Sequence, residues 1–347
     1  MAKRSITRHG RTTRTFRYRT ADGAPVTDPR VLERIAALVI PPGWTDVHVA
    51  AAPTAEVQAW GFDARGRKQY RYHDRAVARG ALRKHYRVRR LAHDLPRIRA
   101  RVDEHFRSAE PTRDQVAAAV VRLISQGFFR VGSERYAIEN KTFGITTLRK
   151  RNVAVAGDCL TFSYVGKRSI EQRQTVVDRD VASWMTSTAL ATPGTRLFRY
   201  REGGKWRDLT ARDVNAFLHD TLGVPYTAKD FRTWGGTLRA ATVLADLGPA
   251  ASPTAAARNV NTALRLVAAE LGNTPAICRS SYVHPIVLAR YLDDGETIQP
   301  RPAPRSRADR YAHAPEERAL IRFLDRHFPE RRSARTVDAP RAERRQP

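Results

Sequence analysis

A long basic stretch with helical spacing divides this sequence into two parts of different character. The stretch runs from about Ala76 to about Phe106 and contains the cationic run 83–90 (RKHYRVRR). Pro96 predicts an interruption in this helix, because proline lacks the backbone N–H that a helix interior needs. Short strand patterns precede the stretch, and mostly helical patterns follow it. The stretch therefore predicts a link between two modules.

The first module is predicted to be small and rich in strands. A helix is predicted near 31–39, and strand patterns lie at 46–51, 57–62 and 69–72, with Pro, Gly and Asp between them. The second module is predicted to be mainly helical, with one small antiparallel sheet. Its helices are predicted to start at residues with capping signals, such as Thr112, Thr210, Ser252 and Thr274. The predicted helices cover 112–125, 210–222, 229–247, 253–271, 275–282 and 285–292.

The whole chain is predicted to be an α+β protein of two domains and a tail. Residues 1–85 are predicted to form the strand-rich domain, and residues 86–298 the mainly helical domain. Prolines at 300, 302 and 304 and many arginines predict a basic tail over 299–347, with a helix near 316–327.

Cations and aromatic side chains alternate in the segment 65–73 of the first module. A strand presents every second residue on one face, here Lys68, Tyr70 and Tyr72. That face suits a phosphate backbone; a solvated amphipathic strand is the alternative. The candidate DNA-binding residues of this segment are Arg65, Arg67, Lys68, Gln69, Tyr70, Arg71 and Tyr72.

The charge of the chain favours a polyanionic partner. Lys and Arg number 62 and Asp and Glu 35, which gives a net charge of +27, and such a field attracts nucleic acid in a salt-dependent way. Only eight of the 62 are lysines, so the arginine bias can also reflect genomic base composition. Duplex DNA is therefore the expected partner, although charge alone does not decide it.

The two cysteines, Cys159 and Cys278, lie far apart and predict neither a zinc site nor a disulfide-stapled domain. The start of the sequence lacks an apolar signal core, and no apolar stretch approaches the length of a membrane span. No phosphate-loop motif for a nucleotide occurs. We expect a cytoplasmic, nucleoid-associated monomer that uses no cofactor and no metal. Acidic groups such as Asp178, Asp180 and Glu296 are interpreted as turns and helix ends, and His219 and His284 as structural or exposed.

Four separated segments each offer one candidate for a phosphoryl-transfer site: Arg130, Lys167, Arg232 and Tyr282. A phenol that attacks a phosphodiester needs positive charge on the non-bridging oxygens and a proton donor for the leaving group. Two arginines and one lysine could supply both without a metal. Each residue alone has an ordinary alternative: a surface arginine, a hairpin-turn lysine between the strand patterns 160–165 and 172–177, or a half-buried tyrosine.

Over most of residues 30–295 the chain resembles the type IB DNA topoisomerases, in their compact bacterial and poxvirus-like form. The motifs that carry the resemblance are 40–47 (IPPGWTDV), 63–72 (DARGRKQYRY), 128–132 (FFRVG), 144–150 (GITTLRK), 229–235 (KDFRTWG) and 271–282 (LGNTPAICRSSY). Each motif is moderately specific, and their order makes the set highly specific. The resemblance implies the catalytic fold shared by topoisomerase IB and tyrosine recombinases. It also implies that residues 1–85 act as a DNA clamp and that residues 86–298 form the catalytic domain.

The resemblance also implies roles for the candidate residues. Tyr282 would attack the DNA backbone to give a 3′-phosphotyrosyl link, Arg130 and Arg232 would hold the non-bridging oxygens, and Lys167 would act as general acid. The chain departs from the pattern at Asn273, where poxvirus and eukaryotic members carry histidine and bacterial members carry the same asparagine. An amide can donate a hydrogen bond to the phosphate but cannot transfer a proton. An ordinary turn residue after Gly272 is the alternative for Asn273.

Two other functions stay open at this point. A tyrosine recombinase or integrase would share the arginine, lysine and tyrosine chemistry, but such enzymes typically carry histidine where this chain has Lys229. A non-catalytic basic DNA-binding protein would explain the charge without any chemistry. Supercoil relaxation without a partner site separates the first alternative, and a covalent protein–DNA adduct separates the second.

Overall fold

The structure is a computed structural model that describes residues 5–108, 110–302 and 310–328. The chain divides into two compact units, Met1–Lys84 and His85–Pro347. Within the described ranges, no helix combines the length and the apolar composition of a membrane-spanning segment. Most of the predicted basic tail, at 303–309 and 329–347, lies outside the described residues.

The first unit is a five-stranded antiparallel sheet with one helix against it. The strands run in the order β2-β1-β3-β4-β5, and their small core contains Ile6, Ile35, Val47, Val49 and Ala59. The elements are β1 Ser5–His9, β2 Arg17–Arg19, α1 Pro29–Ala37, β3 Thr45–Ala50, β4 Val57–Phe62 and β5 Lys68–Tyr72. The three predicted strands and the helix are confirmed, whereas β1 and β2 were not predicted. Both are short and basic: β1 has a single buried residue, Ile6, and β2 has only three residues, so neither gives a pattern long enough to predict a strand.

The second unit is mainly helical, which confirms the predicted α+β class. Its helices are α2 Asp74–Phe106 (which begins in the first unit), α3 Arg113–Gly127, α4 Glu134–Glu139, α5 Arg179–Trp184, α6 Ala211–Ala216, α7 Ala228–Leu247, α8 Pro253–Leu271, α9 Pro275–Ser281, α10 Pro285–Asp294 and α11 Pro315–His327. Its strands are β6 Val153–Ala156, β7 Cys159–Val165, β8 Glu171–Val177, β9 Arg199–Glu202 and β10 Lys205–Asp208. Strands β6, β7 and β8 form the predicted small antiparallel sheet in that order, and β9 and β10 form a separate hairpin.

Side-chain caps fix where the helices around the site begin. Thr112 accepts a hydrogen bond from Gln115 N at the start of α3, and Ser252 and Thr274 cap α8 and α9 in the same way. At its other end α8 stops at Gly272, whose left-handed backbone (φ +57°) ends the helix. These local signals explain why the predicted helix bounds agree with the structure within a few residues.

The predicted interruption at Pro96 is wrong, because α2 runs through it as one 33-residue helix. Proline at 96 leaves the carbonyl of Ala92, one turn earlier, without its helical donor. The ring of His313, from the segment just before α11, donates from Nε2 to this Ala92 oxygen at 2.7 Å. A contact far away in sequence thus satisfies the carbonyl that a local reading of the sequence leaves unpaired.

Helix α11, which lies in the segment interpreted as a basic tail, packs into the core of the second unit. Leu320 and Leu324 are fully buried there. Two ion pairs link the helix to α2. Arg89 pairs with Asp325, and Arg99 forms a bidentate ion pair with Glu317, in which Nη2 and Oε1 are 2.7 Å apart. Burial acts to raise the pKa of Glu317, but hydrogen bonds and charge from Arg99 outweigh it and hold the pKa below its usual range.

The Arg99–Glu317 pair predicts an acid-sensitive contribution to stability. A carboxylate whose pKa is lowered by folding contributes stability above its unfolded pKa, about 4.3, and that stability is lost as pH falls through the folded-state pKa. Glu317→Gln should lower the free energy of unfolding by about 1.5–3 kcal/mol at pH 7, and less at pH 4. Urea unfolding at both pH values measures this. Glu316→Gln, which changes net charge equally, is the control; a cost for Glu317→Gln that is the same at both pH values would contradict the assignment.

Candidate active site

Arg130 is placed by the end of α3 and held by the loop after α8. Phe128 adopts a left-handed backbone (φ 52°) that ends α3 and turns the chain. The half-buried guanidinium of Arg130 then donates from Nη2 to Gly272 O at 3.0 Å and to Asn273 Oδ1 at 2.6 Å. The first candidate arginine and the asparagine are therefore direct hydrogen-bond partners.

Arg232 lies on α7 and is almost completely buried, with 3% of its surface exposed. Its guanidinium donates to Phe128 O and, at 2.8 Å, to Leu271 O. Its Cζ lies 5.3 Å from the centre of the Tyr282 ring. Burial lowers the pKa of Arg232, the charge of Arg130 lowers it further, and the interaction with Tyr282 opposes both. The side chain is thus a fixed cation beside the candidate nucleophile, in surroundings that strengthen its field.

Tyr282 sits directly after α9 and is half-buried. Its backbone N donates to Cys278 O at 2.9 Å, and its backbone O lies 3.3 Å from the Thr237 hydroxyl on α7. Gly236 permits this approach of α7, because a Cβ there would lie 2.8 Å from Tyr282 O. The backbone of the candidate nucleophile is therefore anchored to the same helix that carries Arg232.

Lys167 lies in the tight connection between β7 and β8, as the hairpin pattern predicts. The connection is a single 3₁₀ turn, Lys167–Ser169, in which Arg168 and Ser169 both have positive φ. Lys167 itself is exposed. A long exposed cation on a short rigid turn can reach a bound phosphodiester while its base stays fixed.

Four of the five predicted catalytic residues line one cleft of about 150 Å³: Arg130, Lys167, Asn273 and Tyr282. Arg232 contacts the Tyr282 ring but does not line the cleft. Two further cations, Arg168 and Lys229, line it as well, and none of the described lining residues is acidic. Sequence reasoning assigned neither of these two a role. The only signals were that Arg168 follows Lys167 and that Lys229 lies in the same motif as Arg232.

Close packing joins the Lys167 hairpin to the asparagine loop. Gln172 on β8 is buried, and a Cβ on Gly272 would lie 1.9 Å from its Oε1. Gly272 also has positive φ, which only glycine adopts at little cost. The absence of a side chain at 272 therefore leaves the space that the amide of Gln172 occupies between the hairpin that carries Lys167 and the loop that carries Asn273.

The second predicted set, on the first unit, is only partly one surface. Lys68, Tyr70 and Tyr72 are exposed on one face of β5, as predicted. The Lys68 ammonium lies 3.7 Å above the Trp60 ring, and the rings of Tyr70 and Tyr72 stack with centroids 5.9 Å apart. Together Trp60, Lys68, Tyr70 and Tyr72 form what we call the aromatic face.

The alternate residues of the same segment are engaged by the protein. Arg67 and Gln69 both bind the carboxylate of Asp63, at 2.7 and 2.9 Å, and Arg71 donates to Val39 O at 2.6 Å. Asp63 also accepts from the backbone N of Arg65, so it orders the whole turn. The segment 65–72 is thus a structured hairpin with one exposed face, in contrast to a chain of seven equivalent phosphate contacts.

The remaining predicted groups have structural surroundings. Asp178 caps α5 and pairs with Arg122 at 2.6 Å, and Glu296 contacts Arg290 and His327. His219 is exposed and His284 is buried. Within the residues that the structure describes, no group of three or more His, Cys, Asp or Glu could hold a metal ion.

Comparison with known proteins gives consistent matches along the chain. A family model described as the catalytic core of eukaryotic DNA topoisomerase I matches residues 76–301. A second, described as the N-terminal domain of bacterial DNA topoisomerase IB, matches residues 15–63. DNA topoisomerase 1B of Acanthamoeba polyphaga mimivirus is 29% identical over 289 residues, which cover 81% of this chain and 86% of the relative. DNA topoisomerase 1B of vaccinia virus (strain Copenhagen) is 23% identical over 236 residues, which cover 67% and 72%.

The packing of Gly272 predicts that alanine is not tolerated there. Gly272→Ala should lower the free energy of unfolding by more than about 2 kcal/mol, because backbone strain adds to a clash with Gln172. Gly157→Ala is a matched control, since Gly157 has the same φ of +57° but no atom within 4 Å of the position that its Cβ would take. Denaturant unfolding of both variants measures the difference. Equal losses would mean that the contact with Gln172 does not matter.

Proposed function

Because this chain belongs to the type IB DNA topoisomerase family, we propose that it relaxes supercoiled duplex DNA by nicking, rotating and resealing one strand through Tyr282. Membership follows from the catalytic-core match over residues 76–301. The observation that supports this mechanism best is the single cleft in which a tyrosine meets Arg130 and Lys167, beside the buried Arg232. A phenol surrounded by fixed cations suits attack on a phosphodiester.

In the proposed cleavage step the Tyr282 hydroxyl loses its proton to water and its oxygen attacks the phosphorus. A phosphorus–oxygen bond forms to the tyrosine at the 3′ side, and the bond to the 5′ oxygen breaks. Lys167 gives a proton to that leaving oxygen, which departs as a hydroxyl. Religation is the reverse, so the covalent link conserves the energy of the phosphodiester and no nucleotide is needed.

The guanidinium groups are proposed to hold the non-bridging oxygens of the phosphate. Arg130 and Arg232 place positive charge beside the asparagine loop, since Arg130 binds the carbonyl of Gly272 and Arg232 that of Leu271. Fixed cations in partly buried surroundings stabilise the charge of the transition state without reorganising. These residues supply the charge that a metal ion provides in other phosphoryl-transfer enzymes, which is why we propose a reaction that needs no metal.

Asn273 is proposed to donate a hydrogen bond to the phosphate. Its Oδ1 accepts from Arg130 at 2.6 Å, so the amide is oriented with its Nδ2 hydrogens as the remaining donors. Nδ2 itself lies 3.5 Å from Leu271 O, at the limit of a hydrogen bond. An amide oriented in this way can contact an oxygen of the substrate but has no proton to transfer.

Duplex DNA is the substrate that the family implies, and we propose that the aromatic face is one of its contact surfaces. Exposed Lys68, Tyr70 and Tyr72 combine a cation with hydroxyls that can reach phosphates. We also propose that the protein acts as a bacterial, cytoplasmic, nucleoid-associated monomer. The bacterial description of the matching N-terminal family model supports this source.

The nucleophile assignment predicts a clean separation of chemistry from binding. The wild-type protein should relax a supercoiled plasmid in EDTA without ATP, and denaturant should trap it covalently on DNA. Tyr282→Phe should abolish relaxation and the adduct but keep salt-sensitive binding of duplex DNA. Tyr226→Phe is a matched control, because it removes a hydroxyl that binds Asp94 instead, and it should relax normally. Relaxation by Tyr282→Phe would exclude Tyr282 as nucleophile.

The general-acid assignment predicts a chemical rescue. Lys167→Ala should slow single-turnover cleavage by about 10²- to 10⁴-fold. A 5′-bridging phosphorothiolate should restore most of that loss, because a thiolate leaves without protonation. Arg168→Ala is the comparison: this neighbouring cation also lines the cleft, but the sulfur substrate should not rescue a loss of charge alone. A Lys167→Ala defect that persists with sulfur would argue against proton donation by Lys167.

A further inference from the structure

The C-terminal segment lies beyond the region that matches the catalytic core, yet it reaches the neighbourhood of Tyr282. The match ends at residue 301, whereas α11 covers Pro315–His327 and the described chain continues to Phe328. The buried side chains of α11, including Leu320 and Leu324, belong to the main core of the second unit. The helix α11 is therefore folded into the second unit and shares its core.

The ring of Phe328, the residue after α11, contacts one ring on α2 and one ring in the segment that follows Tyr282. Its ring centroid lies 4.6 Å from that of His284, in an edge-on arrangement, and 4.4 Å from that of Tyr86 on α2. The centroid of the His284 ring also lies 4.4 Å from that of the His85 ring on α2. His284 is 1% exposed, so its imidazole is enclosed by rings from α2 and from the C-terminal segment.

His284 is also fixed through its backbone and its ring nitrogen. Its backbone N donates to the Thr237 hydroxyl at 3.1 Å, and the same hydroxyl lies 3.3 Å from Tyr282 O. Its Nδ1 accepts from Ile286 N at 3.2 Å, which caps α10. Two residues after the candidate nucleophile, the chain is therefore held by α7, by α10 and by the aromatic contacts of Phe328.

We propose that Phe328 is a positioning residue for the cleavage reaction, because it braces His284 and through it the backbone of Tyr282. The proposal rests on the proposed role of Tyr282 as nucleophile. Phe328 is not among the residues that line the cleft, so its proposed effect is on the position of the phenol. Correct placement of a nucleophile contributes strongly to rate, and a displacement of about 1 Å can cost about 10²-fold.

The test separates placement of the nucleophile from binding and from stability. Phe328→Ala should slow single-turnover cleavage of a duplex substrate by about 10-fold or more. Duplex affinity, measured for Phe328→Ala in a Tyr282→Phe background that cannot cleave, should stay within about 2-fold. Phe328→Tyr keeps the ring and should cleave at nearly the wild-type rate. The 5′-bridging phosphorothiolate should not rescue Phe328→Ala, because leaving-group protonation is intact.

A stability-matched control excludes a general loss of fold. Leu218→Ala removes a fully buried side chain from the helical turn after α6, so it should lower the melting temperature at least as much as Phe328→Ala. At a temperature where both variants are folded, Leu218→Ala should cleave normally. Cleavage by Phe328→Ala at the wild-type rate, rescue by sulfur, or an equal defect in Leu218→Ala would overturn the proposal. Failure of the wild type to form an adduct would instead overturn the proposed function.

Discussion

The buried guanidinium of Arg232 holds the candidate site together. It binds the carbonyl that ends α3 and the carbonyl that ends α8, and it lies against the ring of Tyr282. Burying a cation is costly unless its donors are paired, so these backbone oxygens and the arginine depend on each other. Arg130 and Asn273 each lie two residues after one of the backbone carbonyls that Arg232 binds. The charge that is proposed to act on the substrate is thus also a structural support of its own site.

Signals that are local in sequence predicted most of the fold. Caps at Thr112, Ser252 and Thr274, the left-handed Gly272, and the hairpin pattern around Lys167 each depend on a few neighbouring residues, and the elements appear where they were predicted. The strands β1 and β2 were missed because their pairing, and not their own pattern, makes them strands. The interruption predicted at Pro96 in helix α2 was wrong because the Ala92 carbonyl accepts a hydrogen bond from His313, which is far away in sequence.

For the site, the sequence predicted which residues take part but not which of them are buried or bound within the protein. The motifs indicated Arg130, Lys167, Asn273 and Tyr282, which the structure brings to one cleft. Periodicity could not show that Arg232 is buried, because that depends on where two loop carbonyls lie. Periodicity also could not show that Arg67 and Arg71 bind groups of the protein itself, whereas Lys68 is exposed on β5. The comparisons decide between the classes left open by the residues, since the family is that of topoisomerases and not of recombinases or passive DNA-binding proteins.

The hydrogen bond from His313 to Ala92 has a consequence for how the chain is made. Synthesis on the ribosome proceeds from the N-terminus, so the long helix emerges well before its distant donor does. Until His313 has left the exit tunnel, the Ala92 carbonyl lacks this donor and the helix can bend at Pro96. We therefore expect nascent chains to complete the hydrogen bonding of this helix only after His313 has been synthesised.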